Sequence, residues 1–434
     1  MAKPPRQFLF LQGPHGPFFG QLAQRLQGTG AKVSRIGFNR GDRHFWPRAL
    51  KYTAYGPQMG GFVAFLQTYI AKHGVSDLVL YGDSRPHHAG ARALASALGL
   101  RIHCFEEGYL RPYWATYERG GVNGNSALMQ LGLPEMRAAL REAGAHAPAA
   151  PSQWGALWHH TWYGFRYHLN FLLPAGVYGA RQTHRSHSVL SELRLHARRI
   201  VWLPLAALRR HIQTRAVLRS GAPFHIGLLQ LGHDASLRAH SDYDCMRDFV
   251  ADVIDGFAKG APAHHRLVFK AHPLEDGREA LRSFVRKQAS AKGVGGRVDF
   301  IMGGKIGAML DKARTAVTVN STAAQQALWR GLPVLALGRA VYAKPGLVAN
   351  QSLADFFANP QKPDRDAYAD FRQFLLETSQ FSGGFYTAAG RAQLLRVVVD
   401  KMLAPNDAYE QILLIAPQPA TLRVVPTPPK GQKM

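Results

Sequence analysis

FLFLQGPHGPFFGQLAQRLQGTGAKVSRIGF, residues 8–38, carries a complete β-α-β signal. FLFLQ (8–12) is the short apolar run of a buried strand, and the Gly/Pro loop GPHGPFFG (13–20) ends it. FGQLAQRLQGTG (19–30) spaces its apolar residues as a helix does and stops at glycine, and KVSRIGF (32–38) is the next strand. The rhythm continues with a helix over 61–74, strand DLVLYGD (77–83), a helix over 88–99 and strand RIHCFEE (101–107). Strands alternating with helical patterns predict a parallel sheet in an open α/β domain.

The pattern resumes after residue 220. HIGLLQL (225–231), HRLVFKAHP (265–273), AVTVN (316–320) and PVLALG (333–338) read as strands, with helices over 246–260 and 321–331. The expected organisation is therefore a first Rossmann-like domain over 1–180, a basic helical connector over 181–220, and a second Rossmann-like domain over 221–434 with C-terminal helices and a disordered tail. The connector region stands out by charge: from Arg166 to Arg219 there are ten arginines and one acid, Glu192. Opened by the aromatic run WGALWHHTWYGFRYHLNF, it reads either as a solvated helical hairpin or as a surface for an acidic membrane or a lipid-linked acceptor.

Composition narrows the partners. Lys+Arg number 53 against 28 Asp+Glu, a net charge of +25, so the ligands are expected to be anionic. No zinc-finger or RNA-binding signature accompanies the charge, so nucleic acid is not expected. Cys104 and Cys245 are far apart and fit two thiols in a reducing compartment. Residues 1–10 lack the long apolar region of a signal peptide, and IVWLPLAAL (200–208) falls short of the roughly 20 residues that span a bilayer. The expected location is cytoplasmic.

In open parallel sheets ligands bind beyond the carboxyl ends of the strands, and here those ends carry polar clusters. FEEGYLRPYWATYERGGVNGNS (105–126) sets Glu106 and Glu107 side by side at a strand end. Alternation sends them to opposite sides, one to the cleft as a general acid/base and the other to the scaffold through Arg111, unless both serve as caps or salt bridges. GDSRPHH (82–88) offers Asp83, Arg85 and two histidines without metal-ligand spacing. QLGHDASLRAHSDYD (230–244) crowds Gln230, His233, Asp234, His240 and Ser241 into one loop; its DxD triplet (242–244) is too short to argue for a metal. KAHP (270–273) places Lys270 and His272 for a phosphate or carboxylate. In NSTAAQQALWRG, Asn320 or Ser321 is expected to cap a helix, either as a plain N-cap or with the N-terminus turned to a phosphate.

Taken together, FLFLQGPHGPFF, IGFNRGDRHFWP, YGDSRPHHAGARALA, FEEGYLRPYWATYERGGVNGNS, KAHPLEDG and NSTAAQQALWRGLPVLALGRAVY resemble the bacterial capsule polysaccharide synthesis proteins of the KpsS/LipB type, in order over about residues 8–350. The resemblance implies a GT-B-like α/β fold of two Rossmann-like domains facing a central cleft. It implies a retaining β-Kdo glycosyltransferase that uses CMP-Kdo to start a Kdo linker on a phosphatidylglycerol-type lipid, at the inner face of the Gram-negative cytoplasmic membrane. By the same resemblance Asp234 is the expected nucleophile and Glu107 the acid/base, with Gln230, Lys270, His272, Asn320, Ser321 and Thr322 on the donor. Acceptor-side candidates are Asp83, Arg85, Glu106, Arg111, Asn123 and Asn125. No metal or other cofactor is expected, because cationic side chains and a helix N-terminus suit a single departing phosphate. The opposing expectations are a transferase for another nucleotide sugar and a non-enzymatic capsule assembly or export component that binds lipid or polysaccharide. A groove that only binds anions has no use for acids at its strand ends, which favours an enzyme.

Overall fold

A computed structural model describes residues 5–143, 158–170, 176–178, 205, 207–232, 235–273, 275, 277 and 279–415. Two sheets organise the chain. The first holds β1 (Gln7–Phe10), β2 (Lys32–Gly37), β3 (Lys51–Ala54), β4 (Asp77–Tyr81), β5 (Arg101–Glu107), β6 (Trp114–Arg119) and β12 (Gln380–Ser382), in the order β12-β6-β5-β4-β1-β2-β3. The second holds β7 (Phe224–Leu228), β8 (Arg266–Lys270), β9 (Val298–Ile301), β10 (Thr315–Thr318) and β11 (Val334–Ala336), in the order β11-β10-β7-β8-β9. The second sheet is parallel throughout. The first is parallel from β3 to β5 and closes with two antiparallel strands, β6 on β5 and β12 on β6. This is the pair of α/β domains with parallel sheets that the alternating pattern predicts, and it is GT-B-like, with two Rossmann-like domains, as the resemblance implies.

Side-chain alternation builds a core on each face. In the first sheet Phe8, Phe10, Val79 and Phe105 share a cluster with helix Phe18–Gly28, while Leu9, Leu78, Leu80 and Cys104 face helices Phe62–His73 and Pro86–Ala97. Helix Phe62–His73 stops where Gly74 turns left-handed at φ 60°, as its sequence position predicts.

The domain plan read from the sequence needs one correction. Residues 379–415 do not stay with the second domain. After helix Arg365–Thr378 the chain crosses back, β12 pairs with β6, and helix Ala388–Leu403 lies on the first sheet. Phe381, Phe385, Leu394, Val398 and Met402 join the cluster of Phe8, Phe10 and Phe18. Only a short strand, QFS, marks this return, and three residues carry no readable period. β6 escaped sequence reading too, because WATYER sits between a proline and a Gly/Asn turn. Of the connector, 207–219 is helical and its Val217 enters the shared core; 181–204 and the expected disordered tail lie outside the described residues.

The domains meet through that shared core, where Tyr109, Leu110 and Trp114 pack with Phe224, Ile226 and Tyr342. Buried Lys344 adds a polar tie, its Nζ donating to the carbonyls of Leu128 and Leu131 at 2.6 Å each. Within the first domain, Gln380 ties the returning strand to the loop after β5. Its Oε1 accepts the N–H groups of Tyr109 at 2.8 Å and Leu110 at 3.3 Å, and its Nε2 donates to Thr116 Oγ1 at 3.0 Å. Replacing Gln380 with leucine leaves those donors buried and unsatisfied. Gln380→Leu is expected to lower stability by about 1–3 kcal/mol, read as a shifted midpoint in urea denaturation followed by tryptophan fluorescence.

Candidate active site

The carboxyl ends of the two sheets face one another. Ser84, just after β4, meets His240 of the second domain, Oγ to Nε2 at 3.1 Å. The His240 ring also lies against Gly124, where an added β-carbon would come within 2.4 Å of Nδ1. Only glycine leaves room for that ring. Burial pulls the His240 pKa below its ordinary value, with Asp83 opposing, so the joint is built around a neutral imidazole.

Asp83 holds this joint in shape. It is buried, and its Oδ2 accepts Val122 N and Asn125 Nδ2 at 3.0 Å each, while Oδ1 accepts Ser84 Oγ at 3.0 Å. Asn123 sits at φ 55° and donates its N–H to Tyr109 Oη at 2.6 Å. Asp83, Asn123 and Asn125 thus form the turn at the rim of the cleft. Arg85 donates to Gln12 Oε1 at 2.8 Å and lies over the Tyr81 ring.

Glu106 and Glu107 diverge as alternation predicts. Glu107 Oε1 accepts the Tyr81 hydroxyl at 2.9 Å, and Tyr386 from the returning C-terminal segment stands beside both. Glu106 lies on the other side, over Gly82, and accepts the Glu107 N–H at 3.0 Å. The expected tie to Arg111 is not formed: Arg111 Nε donates to its own loop, to Gly108 O at 3.1 Å. The tight GYLRP turn folds that guanidinium back on itself. Tyr386 was out of reach of sequence reasoning, because 279 residues separate it from Glu107 and only the crossover brings it there.

In the second domain Gln230 and Asn320 follow the neighbouring strands β7 and β10 and bond reciprocally. Gln230 Nε2 donates to Asn320 Oδ1 at 2.7 Å, and Asn320 N donates to Gln230 Oε1 at 3.2 Å. Neither Asn320 nor Ser321 caps the helix. The helix begins later, over Ala324–Trp329 with Ala323 at its N-cap, because Ser321 Oγ accepts the Ala323 N–H in a local turn and the Asn320 amide is held by Gln230. Thr322 belongs to the same turn, its carbonyl accepting Gln325 N. Lys270 ends β8 and is 5% exposed, yet its Nζ has no hydrogen-bond partner. Burial first, and the Arg210 guanidinium second, bring it down to about 8. His272 follows it, half-buried.

Asp234, with His233, lies outside the described residues. Gly232, just before them, is covered by Glu279: an added β-carbon there would sit 1.4 Å from Glu279 Oε1. Glu279 is a carboxylate that the sequence did not single out. Among the described residues no three His, Cys, Asp or Glu gather as metal ligands, and Tyr243 of the DxD triplet bonds Asp252. His88 Nδ1 meets the Gly82 carbonyl at 2.7 Å and His87 stacks on Phe38, so both serve the scaffold.

Residues 76–386 match the family described as "Capsule polysaccharide biosynthesis protein". The chain is 31% identical to the capsule polysaccharide export protein KpsS of Escherichia coli, over 88% of this chain and 97% of the relative. It is 30% identical to the capsule polysaccharide modification protein LipB of Neisseria meningitidis, over 87% of this chain and 91% of the relative. Among solved structures, KpsC of Thermosulfurimonas dismutans, titled a beta Kdo 2,7 transferase, aligns at 12% identity with a TM-score of 0.41, covering 91% of this chain and 100% of that one.

Beneath the Gly/Asn turn lies Glu118, 2% exposed and accepting a hydrogen bond from Ser126 Oγ. Burial raises its pKa from 4.5 to about 7. Between those values the folded chain binds more protons than the unfolded one, so this group's contribution falls as pH rises through that window. Glu118→Gln is expected to melt above the wild type at pH 8, with the gap closing toward pH 5, in paired thermal melts.

Proposed function

The chain belongs to the capsule polysaccharide biosynthesis protein family, and from that premise we propose that it is a retaining β-Kdo glycosyltransferase. In this reading it moves Kdo from CMP-Kdo to a phosphatidylglycerol-type lipid and so starts the linker of a capsular polysaccharide. The observation that carries the proposal is the division of charge across the joint. The first domain brings a pair of carboxylates to a strand end, Glu107 held by Tyr81. The second brings a buried lysine, Lys270, with no hydrogen-bond partner among the described residues. The motif resemblance supplies the identity of the sugar and of the acceptor.

The chemistry follows from two displacements. The Asp234 carboxylate attacks the anomeric carbon, the bond to the phosphate oxygen breaks, and CMP leaves with the electron pair. The glycosyl–aspartate ester is then attacked by an acceptor hydroxyl whose proton passes to Glu107. Two inversions give retention and free Asp234. Lys270, His272, Ser321 and Thr322 bind the donor phosphate, and Gln230 and Asn320 hold the two strand ends in register. Asp83, Arg85, Glu106, Arg111, Asn123 and Asn125 shape the acceptor side. Positive side chains at the phosphate take the place that a metal holds in diphosphate-sugar enzymes. The net charge of +25 suits peripheral binding to an anionic inner membrane face.

The test is a mass-spectrometric assay of purified protein with CMP-Kdo and a short-chain lysophosphatidylglycerol. A product heavier by one Kdo is expected, with a loss of at least about a hundredfold in rate for Asp234→Ala and for Glu107→Gln. A product that persists in Asp234→Ala rejects the nucleophile. Lipid or polysaccharide binding without turnover of any nucleotide sugar replaces the enzyme with an assembly or export component.

A further inference from the structure

Lys270 poses a physical problem that the fold leaves open. Its register partners are Leu228 on β7 and Ile301 on β9, so its ammonium lies inside the sheet's carboxyl end. Val268, two residues earlier, points into the core that holds Val217 of helix 207–219. By alternation Lys270 faces that helix too. Near the start of the helix, Arg210 lies across the turn after β9. A β-carbon at Gly304 would stand 2.5 Å from Arg210 Cδ and 2.7 Å from Nε, and one at Gly303 would stand 3.2 Å from Pro273 Cα. Gly303 and Gly304, at φ 53° and 83°, thus form a thin wall with the KAHP turn on one side and Arg210 on the other.

The Arg210 charge acts on Lys270 here, and among the described residues no acid pairs with either cation. Among the described residues Arg210 makes no hydrogen bond or ion pair, and Lys270 Nζ has no partner. Glu275 spends one carboxylate oxygen on the Gly277 N–H at 2.8 Å. A buried, unpaired ammonium beside a second cation is costly, and an anion relieves it. The place lies beyond the carboxyl ends of parallel strands, where such folds bind ligands.

We propose that Arg210, carried by the helix between the domains, pairs with Lys270 as a phosphate ligand, and that the pair prefers a phosphate monoester to a sugar-linked diester. The proposal rests on the donor reading above and extends it. In the diester the phosphate carries one negative charge. When the bond to the sugar breaks, the electron pair stays on the phosphate oxygen and the charge approaches two. Two cations meet that second charge as it develops, so the site is more complementary to the leaving group than to the donor. Tight retention of the nucleoside monophosphate, and inhibition by it, follow.

The experiment is calorimetric titration of the full-length protein with CMP, cytidine and inorganic phosphate, on the wild type, Arg210→Gln, Lys270→Gln, the double variant and Arg209→Gln. CMP affinity is expected to fall roughly 10- to 100-fold in Arg210→Gln, as for one hydrogen bond to a charged group. The double variant should lose less than the product of the single losses. Cytidine binding, and CMP binding to Arg209→Gln, should stay unchanged. Wild-type affinity for CMP in Arg210→Gln overturns the proposal, as does an equal loss for cytidine, which would signal damage to the fold. Binding of inorganic phosphate that depends on Arg210, without CMP binding, keeps the anion pair and rejects the cytidylate donor. No binding of either anion by the wild type rejects the pair itself.

Discussion

The Gln380 amide is buried between β6 and the loop after β5, and the arrangement of both domains depends on it. Its oxygen fixes Tyr109 and Leu110, and its nitrogen holds Thr116 on β6. With its backbone so fixed, Tyr109 does three things at once. Its ring enters the core shared by the domains. Its hydroxyl accepts the Asn123 N–H. Its carbonyl accepts Gln325 Nε2 of the second domain at 3.2 Å. One side chain from the returning strand thereby sets the rim turn and the seat of the second domain. A buried amide can do this only with its polar atoms satisfied, and here both ends are bonded.

The same logic explains why so basic a chain sets two acids together. Glu106 and Glu107 are neighbours in sequence and not in space. One carboxylate leans over Gly82 and the other reaches the Tyr81 hydroxyl. Across the joint the second domain holds the Lys270 ammonium, which has no hydrogen-bond partner among the described residues.

Much of this was legible in the residues. β1, β2, β4, β5 and the four principal strands of the second half announce themselves as apolar runs stopped by glycine or proline. The polar clusters at their ends follow from the rule for open sheets. What stayed hidden depends on contacts distant in sequence. β6 and β12 are antiparallel additions without the β-α-β rhythm. Tyr386, Gln380 and Glu279 reach their places through tertiary packing that no local period encodes. The cap at NST was misplaced for a related reason: Asn320 is an excellent capping residue by type, but a buried Gln230 claims its side chain first.

The crossover has a bearing on how the chain is made. Gln380 and Tyr109 stand 271 residues apart. As the polypeptide leaves the ribosome, β6 is an open edge on its outer side and the cluster of Phe8, Phe10 and Phe18 lacks its covering helix until residues 380–403 emerge. The first domain therefore cannot finish folding before the second has been synthesised. A contact of such long range is slow to form, and the exposed edge is open to pairing with other chains in the meantime. Assembly of the first half thus waits on the synthesis of residues 380–403, so the two halves do not fold as a sequence of two independent domains.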